Sequence, residues 1–400
     1  MRFLHSFVVG LLLLSVLSAS DDSTFEAVDD KTEAALQASL KWLATKQQKD
    51  GSFECGIGNR VGYGYDAHAF GGHVGVTAIA GMAFLANGHV PGSGEYAHVV
   101  EGCIDFVTRC AKSNGFITHQ QSRMYSHAFA ALFLAEAYGM TQRKDVREAL
   151  ERAVRLIVSH QNANGGWRYS PEAADSDLSV VVCLVQALRA ANNVGIQVPR
   201  STIDRAIKFI RSLVVKPGEK PSGFGMMEHL PMFAKEGGFH YQDGERVTFA
   251  ICAAGVTALH GTGIYEGAEL DRGLRFLELR YIDKMHEDPK YWRQSPDIRF
   301  LPATEGYATN FTGRTTRQGR ALGPKVQGFQ YFYGHYYAAQ AFHQAGGSRW
   351  ERWYSRIRSD FLAIQFPDGH CEDEVGSSYA TSMFALILAL PKGYLPIFQR

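Results

Sequence analysis

Apolar and polar residues alternate along this chain with a helical period almost throughout. Gly-rich punctuation divides it into paired stretches that recur about every 50 residues, with two longer intervals, the signature of a repeat architecture. The first member of each pair is amphipathic. Its apolar residues fall at three- and four-residue steps, as in Leu36, Leu40 and Leu43, in Val146, Leu150, Ala153 and Ile157, and in Trp353, Ile357, Phe361 and Ile364. Lys, Arg and Glu fill much of the opposite face, which places these helices on an outer surface.

The second member is apolar or small nearly all round. Val74 to Ala86, His127 to Tyr138, Asp177 to Ala191, Thr248 to His260, His335 to Ala345 and Tyr379 to Leu390 read this way, and helices of that kind are buried on most sides. Several are expected to stop at glycine: Gly88, Gly139, Gly261 and Gly346. Six outer helices around six buried inner ones predict an all-α fold, an (α/α)6 toroid spanning residues 21–400 as one domain. An open solenoid also repeats helix pairs, but these inner helices are too apolar to line a solvated concave face.

Composition supports a large core and removes some classes of partner. The 400 residues are 46% hydrophobic and 20% charged. With 41 Lys plus Arg against 40 Asp plus Glu and a pI near 7.7, no global field draws the protein to nucleic acid or an anionic membrane. Arg2, the apolar run Phe7 to Leu17 and the small residues Ser18, Ala19 and Ser20 read as a secretory signal cut after Ser20. The mature chain is therefore expected in the periplasm or outside the cell, with no later transmembrane segment.

Three turns after outer helices share a pattern: Gln47-Gln-Lys-Asp-Gly51-Ser-Phe53, Gln161-Asn-Ala-Asn-Gly165-Gly-Trp167 and Gln365-Phe-Pro-Asp-Gly369-His-Cys371. Gly supplies the positive φ that reverses the chain, and Gln is expected to bond backbone groups left open at the helix end. At these residues the chain resembles the prenyltransferase and squalene oxidase repeat family, whose squalene-hopene and oxidosqualene cyclases carry a Gln-x-x-x-Gly-x-Trp repeat. Tyr394-Leu-Pro-Ile-Phe-Gln-Arg400, His73-Val-Gly-Val-Thr-Ala78 and Met124-Tyr-Ser-His127 also resemble exported squalene-cyclase-like proteins of planctomycete bacteria. The resemblance implies the α/α barrel fold.

In such a ring the N-termini of the inner helices meet at one end, and candidate site residues collect there: His73, His127, Asp175 with Asp177, Arg246 with Thr248, His335, and Ser377 to Tyr379. Carboxylates at helix starts act as caps. Asp175-Ser-Asp177-Leu-Ser179 also resembles a partial Asp-x-Asp-Asp acid motif of the squalene-hopene cyclases. The resemblance gives Asp177 the place of the alkene-protonating acid and Asp175 that of the first Asp, while Leu178 replaces the last Asp. Tyr333, Tyr336 and Phe239 are candidate ligand-contacting rings, together with His73, His127 and His335.

His335 lies in Phe332-Tyr-Gly-His335-Tyr-Tyr, which resembles the zinc-binding His region of protein prenyltransferase β subunits. Their Asp-x-Cys ligands have no match near Gly238-Phe-His-Tyr-Gln-Asp243, so neither a metal nor a cofactor is expected. Two long stretches, Val215 to Arg246 and His286 to Gln330, precede inner helices four and five and are expected over the cavity mouth. Of the six cysteines, Cys103, Cys110, Cys183 and Cys252 read as core residues. Cys55 and Cys371 occupy equivalent turns in repeats one and six, neighbours only in a closed ring. A disulfide between them is expected at the seam.

Three functions are compatible with the chain. One is an exported terpene cyclase or isomerase that takes an apolar isoprenoid and starts from Asp177. A second is a non-catalytic toroid that binds a lipid, a glycan or a protein. The third is a polysaccharide-active barrel using carboxylates such as Asp175, Asp177 and Glu305.

Overall fold

The computed structural model describes residues 27–54, 71–216, 219, 238–245, 247–281, 331–373 and 375–399. The signal-like residues 1–20, Cys55, Arg246, Glu305 and most of the two long stretches lie outside the described residues. Among the described residues there are twelve α-helices: α1 (Asp30–Ala44), α2 (Val74–Leu85), α3 (Ala97–Arg109), α4 (Met124–Thr141), α5 (Lys144–Ser159), α6 (Leu178–Asn193), α7 (Arg200–Ser212), α8 (Phe249–Gly261), α9 (Ala268–Tyr281), α10 (Tyr331–Ala345), α11 (Gly347–Ile364) and α12 (Ser377–Ala389). The even-numbered helices pack side by side in chain order, and α12 returns to pack on α2. They form a closed inner ring, and the odd-numbered helices lie outside it. The fold is the α/α toroid expected from the repeats.

The two rings differ as their patterns require. Every residue of α2 is buried, whereas α5 buries one stripe, from Val146 and Ala149 to Leu156 and Ile157, and leaves Arg147, Glu148 and Glu151 on its outer side. One helix runs past its expected stop. Helix α4 runs through Gly139 to Thr141, and Gln142 takes the left-handed position with φ of 54°.

The repeated turns are the joints of the outer ring. Gln47 Nε2 donates to the carbonyls of Gly51 (3.1 Å) and of Val99 in α3 (2.8 Å). Gln161 Nε2 donates to Gly165 (2.8 Å) and to Thr202 in α7 (2.9 Å). Gln365 Nε2 donates to Gly369 (3.0 Å) and to Ala35 in α1 (2.9 Å). The Gln side chain therefore ties its turn to the next outer helix rather than closing its own helix end. The bond from Gln365 to Ala35 repeats, across the seam, the geometry found between consecutive repeats, so the ring closes with the same joint it uses internally.

One end of the inner ring is covered by the last described residues of the chain. At the helix C-termini, Leu395, Ile397 and Phe398 are buried. Phe398 packs on Tyr336 of α10 at 6.1 Å, and the segment 396–398 lies against α6. No described helix is long and apolar enough to cross a membrane.

Candidate functional site

The other end carries the inner-helix starts, and three are capped by their own side chains. His73 Nδ1 accepts from the Val76 N–H (3.3 Å), Asp177 Oδ1 from the Val180 N–H (3.0 Å) and Thr248 Oγ1 from the Ile251 N–H (3.2 Å). Two loops are pinned to these starts. The Trp167 carbonyl accepts from the Asp177 N–H and the Tyr169 carbonyl from the Met124 N–H, both at 3.0 Å, so Arg168 and Tyr169 are held between α4 and α6. The Tyr241 carbonyl accepts from the Leu178 N–H at 3.0 Å.

These attachments assemble a cluster around Asp177. The Tyr169 and Tyr241 phenols meet, and the Arg168 guanidinium lies over both rings, at 4.7 and 5.9 Å. Arg168 bonds Asp175, and its Nε stands 3.2 Å from Asp177 Oδ2. Ser179 donates to Asp177 Oδ1 and is itself bonded to the Tyr125 phenol. Tyr333 of α10 donates to the Ser179 carbonyl at 2.8 Å. Asp177 is fully buried, and burial raises its carboxyl above the ordinary range against the pull of Ser179, the Val180 N–H and Arg168. Asp175 is exposed beside it.

The centre of the ring is filled just beneath this cluster. Helices α4 and α10 stand opposite each other, yet Tyr125 meets Tyr333 edge-on at 6.4 Å, and one turn deeper Phe129 meets Tyr336 at 6.0 Å. Cys183 of α6 bonds the Tyr337 phenol at 3.0 Å, and Gln186 bonds Gln340. All of these deeper side chains are buried. Tyr125, Tyr169 and Tyr333 keep partial exposure. Among the described residues this end presents a tyrosine cup, floored by Tyr125 and Tyr333 and walled by Tyr169 and Arg168.

The structure separates the residues expected here. Asp175, Asp177 and Tyr333 belong to the cluster, and Asp177 is also the α6 cap. His127 and His335 lie one turn inside their helices rather than at the starts. His127 Nδ1 accepts the Ile117 N–H at 3.0 Å, and burial lowers its pKa to about 3, so it is a neutral joint between α4 and the turn before it. His335 is buried among Phe249, Tyr331, Trp353 and Phe361. Phe239 is buried against Gly255 and Gly273, between α8 and α9. Tyr336 lies deep on the axis, and burial lowers the His73 pKa to about 4. Cys371 is buried, and its N–H is bonded to Thr381 Oγ1 at 2.9 Å.

Tyr125, Arg168, Tyr169 and Ser179 were missed as site residues. A helical signal existed for Tyr125, which shares one face of α4 with Phe129 and Glu136 at four- and eleven-residue steps. Nothing in the local pattern marks Arg168 and Tyr169. No group of three or more His, Cys, Asp or Glu able to hold a metal occurs among the described residues.

The fold defines the class of the chain, an α/α toroid. No family model matches the chain, and no curated protein matches it in sequence. Among solved structures it is similar to the type II terpene cyclase MstE from Scytonema, at 12% identity and a TM-score of 0.54 over 92% of this chain and 100% of that one. An α-1,6-mannanase from Salegentibacter sp. superposes with a TM-score of 0.52 at 11% identity, over 90% of this chain and 98% of that one. Cellobiose 2-epimerase from Bacillus thermoamylovorans does so with a TM-score of 0.52 at 12% identity, over the same shares. These likenesses are of fold, and the fold serves unrelated chemistries.

Proposed function

We propose that this protein is a ligand-binding α/α toroid that works at the tyrosine cup at its inner-helix starts. The observation that carries this reading is the meeting of rings from opposite helices, Tyr125 with Tyr333 and Phe129 with Tyr336, across the axis. Among the described residues these rings occupy the axis, so recognition falls to the cup. Asp177 serves the cup as a keystone: Ser179 and the Val180 N–H donate to it and Arg168 stands beside it, a donor set that suits a carboxylate anion. We place the mature chain outside the cytoplasm, as its signal-like residues 1–20 imply.

Native mass spectrometry of the purified chain, followed by extraction, tests for a co-purified ligand. With that ligand, Tyr125→Ala and Tyr333→Ala should each weaken binding about tenfold, the order of one lost aromatic contact. Glu136→Gln, at the far end of α4, should leave binding unchanged. Equal losses in all three, or none, would end the reading.

A second reading has its own support in the hydroxyl chain from Asp177 through Ser179 to Tyr125. In an acid-initiated isomerase, protonated Asp177 would reverse the bond it now accepts and give a proton to Ser179, Ser179 one to Tyr125, and Tyr125 one to an alkene carbon. Asp177 would end as carboxylate, and the cation would return a proton to water. Tyr125→Phe and Asp177→Asn should then both abolish turnover of an isoprenoid while sparing its binding; turnover that persists in either variant removes this second reading.

A further inference from the structure

We infer that residues 394–399 form a pH-sensitive strap, closed over the C-terminal end of the inner ring while Glu136 beneath it carries a proton and released when that carboxyl ionises. This end lies opposite the tyrosine cup, and the strap does not depend on the cup. Its base is anchored. Lys392 Nζ stands 2.7 Å from Glu33 Oε2 of α1 and 3.0 Å from Asn87 Oδ1, just past α2. Gly393 follows with φ of 67° and open space where a side chain would be, a hinge between the anchor and the strap. Beyond it the described backbone–backbone hydrogen bonds are internal, from the Phe398 N–H to Leu395 and from the Gln399 N–H to Pro396. At the far end Gln344 Nε2 donates to the Gln399 carbonyl at 3.0 Å, so closure rests mainly on burying Leu395, Ile397 and Phe398.

The bed under the strap is polar. Glu136 of α4 is 4% exposed, and among the described residues its Oε2 and the Gln186 Oε1 of α6 are buried without a hydrogen-bond partner. A carboxylate in such a place costs far more than a carboxylic acid. The charged and titratable groups around it offset little of that cost. From the strap the Ile397 N–H favours the charged form, and from α6 so does Arg189, whose guanidinium is bonded to the His260 carbonyl at 3.2 Å and lies over the Tyr265 ring at 5.9 Å. From α10 comes the Tyr336 phenol, on which Phe398 packs. On α4 itself Tyr138 bonds Arg147 of α5 at 3.1 Å. Helix α2 has no ionisable side chain, and α3 and α5 keep their charged ones at least partly exposed on the outer ring. Burial therefore dominates and raises the Glu136 carboxyl to about 8. Release hydrates it and returns it toward its ordinary 4.5. Between these values only the closed state holds the proton, so each pH unit shifts the balance about tenfold toward release, and the shift ends near pH 8.

Hydrogen exchange of the full chain, read by mass spectrometry at pH values from about 5.5 to about 9, tests the strap. Rates for the C-terminal peptide that holds the Ile397, Phe398 and Gln399 amides are divided by those of the same peptide unstructured, which removes the intrinsic pH dependence of exchange. The opening constant so obtained should rise close to tenfold per pH unit up to about pH 8 and then level off, while the amides of α4 open more rarely at every pH. In Glu136→Gln it should not change with pH. Glu136→Leu, which fills the same place without a polar group, makes that comparison should the glutamine variant be unstable. Phe398→Ala should raise the opening constant at least about tenfold already at acid pH, because a buried ring that holds the strap is lost. A flat profile in the unaltered chain, an equal slope in the Glu136 variants, or a strap indifferent to Phe398→Ala overturns the inference. Strap amides that exchange only together with those of α4 overturn it as well, since the response is then that of the whole fold.

Discussion

Asp177 shows how one side chain holds two jobs. It caps α6 and, through Ser179 and Arg168, fixes the rings of the cup. Asp177→Ala should lower stability by about 1–2 kcal/mol through the lost cap, and Asp177→Asn, which keeps an acceptor there, by less. Urea unfolding at neutral pH measures both. Glu136 is the residue most out of place by burial. It stands beneath the segment 396–398, and burial pushes its carboxyl up to about 8 against the Ile397 N–H and Arg189. In the unfolded chain it titrates at its ordinary 4.5, so between these values only the folded state holds the proton, and stability falls as pH rises from 4.5 to about 8. His73, His127 and His260 act oppositely. Burial lowers them to about 4, 3 and 4, so each removes stability as pH falls below 6.5. These four groups place the maximum near pH 6.5. Glu136→Gln should flatten the decline above pH 6.5 and steepen the rise between 4.5 and 6.5, and unfolding midpoints taken across the pH range would show it; an unchanged alkaline slope would place the proton elsewhere.

At the scale of elements, the turns decide how helices are spaced. Gly165 has φ of 92°, and a Cβ there would overlap the Arg205 carbonyl of α7. Gly195 has a similar φ of 82° with nothing near it. Gly195→Ala should therefore cost about 1–2 kcal/mol, the penalty of a left-handed alanine alone. Gly165→Ala should cost at least about 1 kcal/mol more, because the outer helices must move apart. Equal losses for the pair would mean that contact with α7 does not set the turn. The same close approach occurs at Gly115, where a Cβ would overlap the Arg152 carbonyl, although Ala111 stands where the other turns have Gln. This fourth joint escaped the motif because backbone overlap, not the Gln side chain, is what it shares with the others.

At the scale of the molecule, closure rests on Gln365 and Gly369 reaching α1, with Ser39 donating to the Gly369 carbonyl at 2.9 Å. A bond between Cys55 and Cys371, expected at the seam, would add a covalent element to this joint. Peptide mapping with and without reductant should find Cys55 joined to Cys371, a link that would stabilise by about 2–5 kcal/mol. Finding two thiols would leave the seam to packing and hydrogen bonds alone.

The sequence by itself determined the helix pairs, their assignment to inner and outer rings, and the glycine joints, because burial on all sides and backbone reversal leave marks at fixed local spacing. It also placed Asp177 at a helix start. It could not tell that Tyr125 and Tyr333, 208 residues apart in the chain, touch across the axis, or that His127 and His335 turn away from the working end. Those facts depend on which faces of opposite helices meet once the ring is closed. Ring closure brought the rings of opposite helices together on the axis, and no local pattern encodes that meeting.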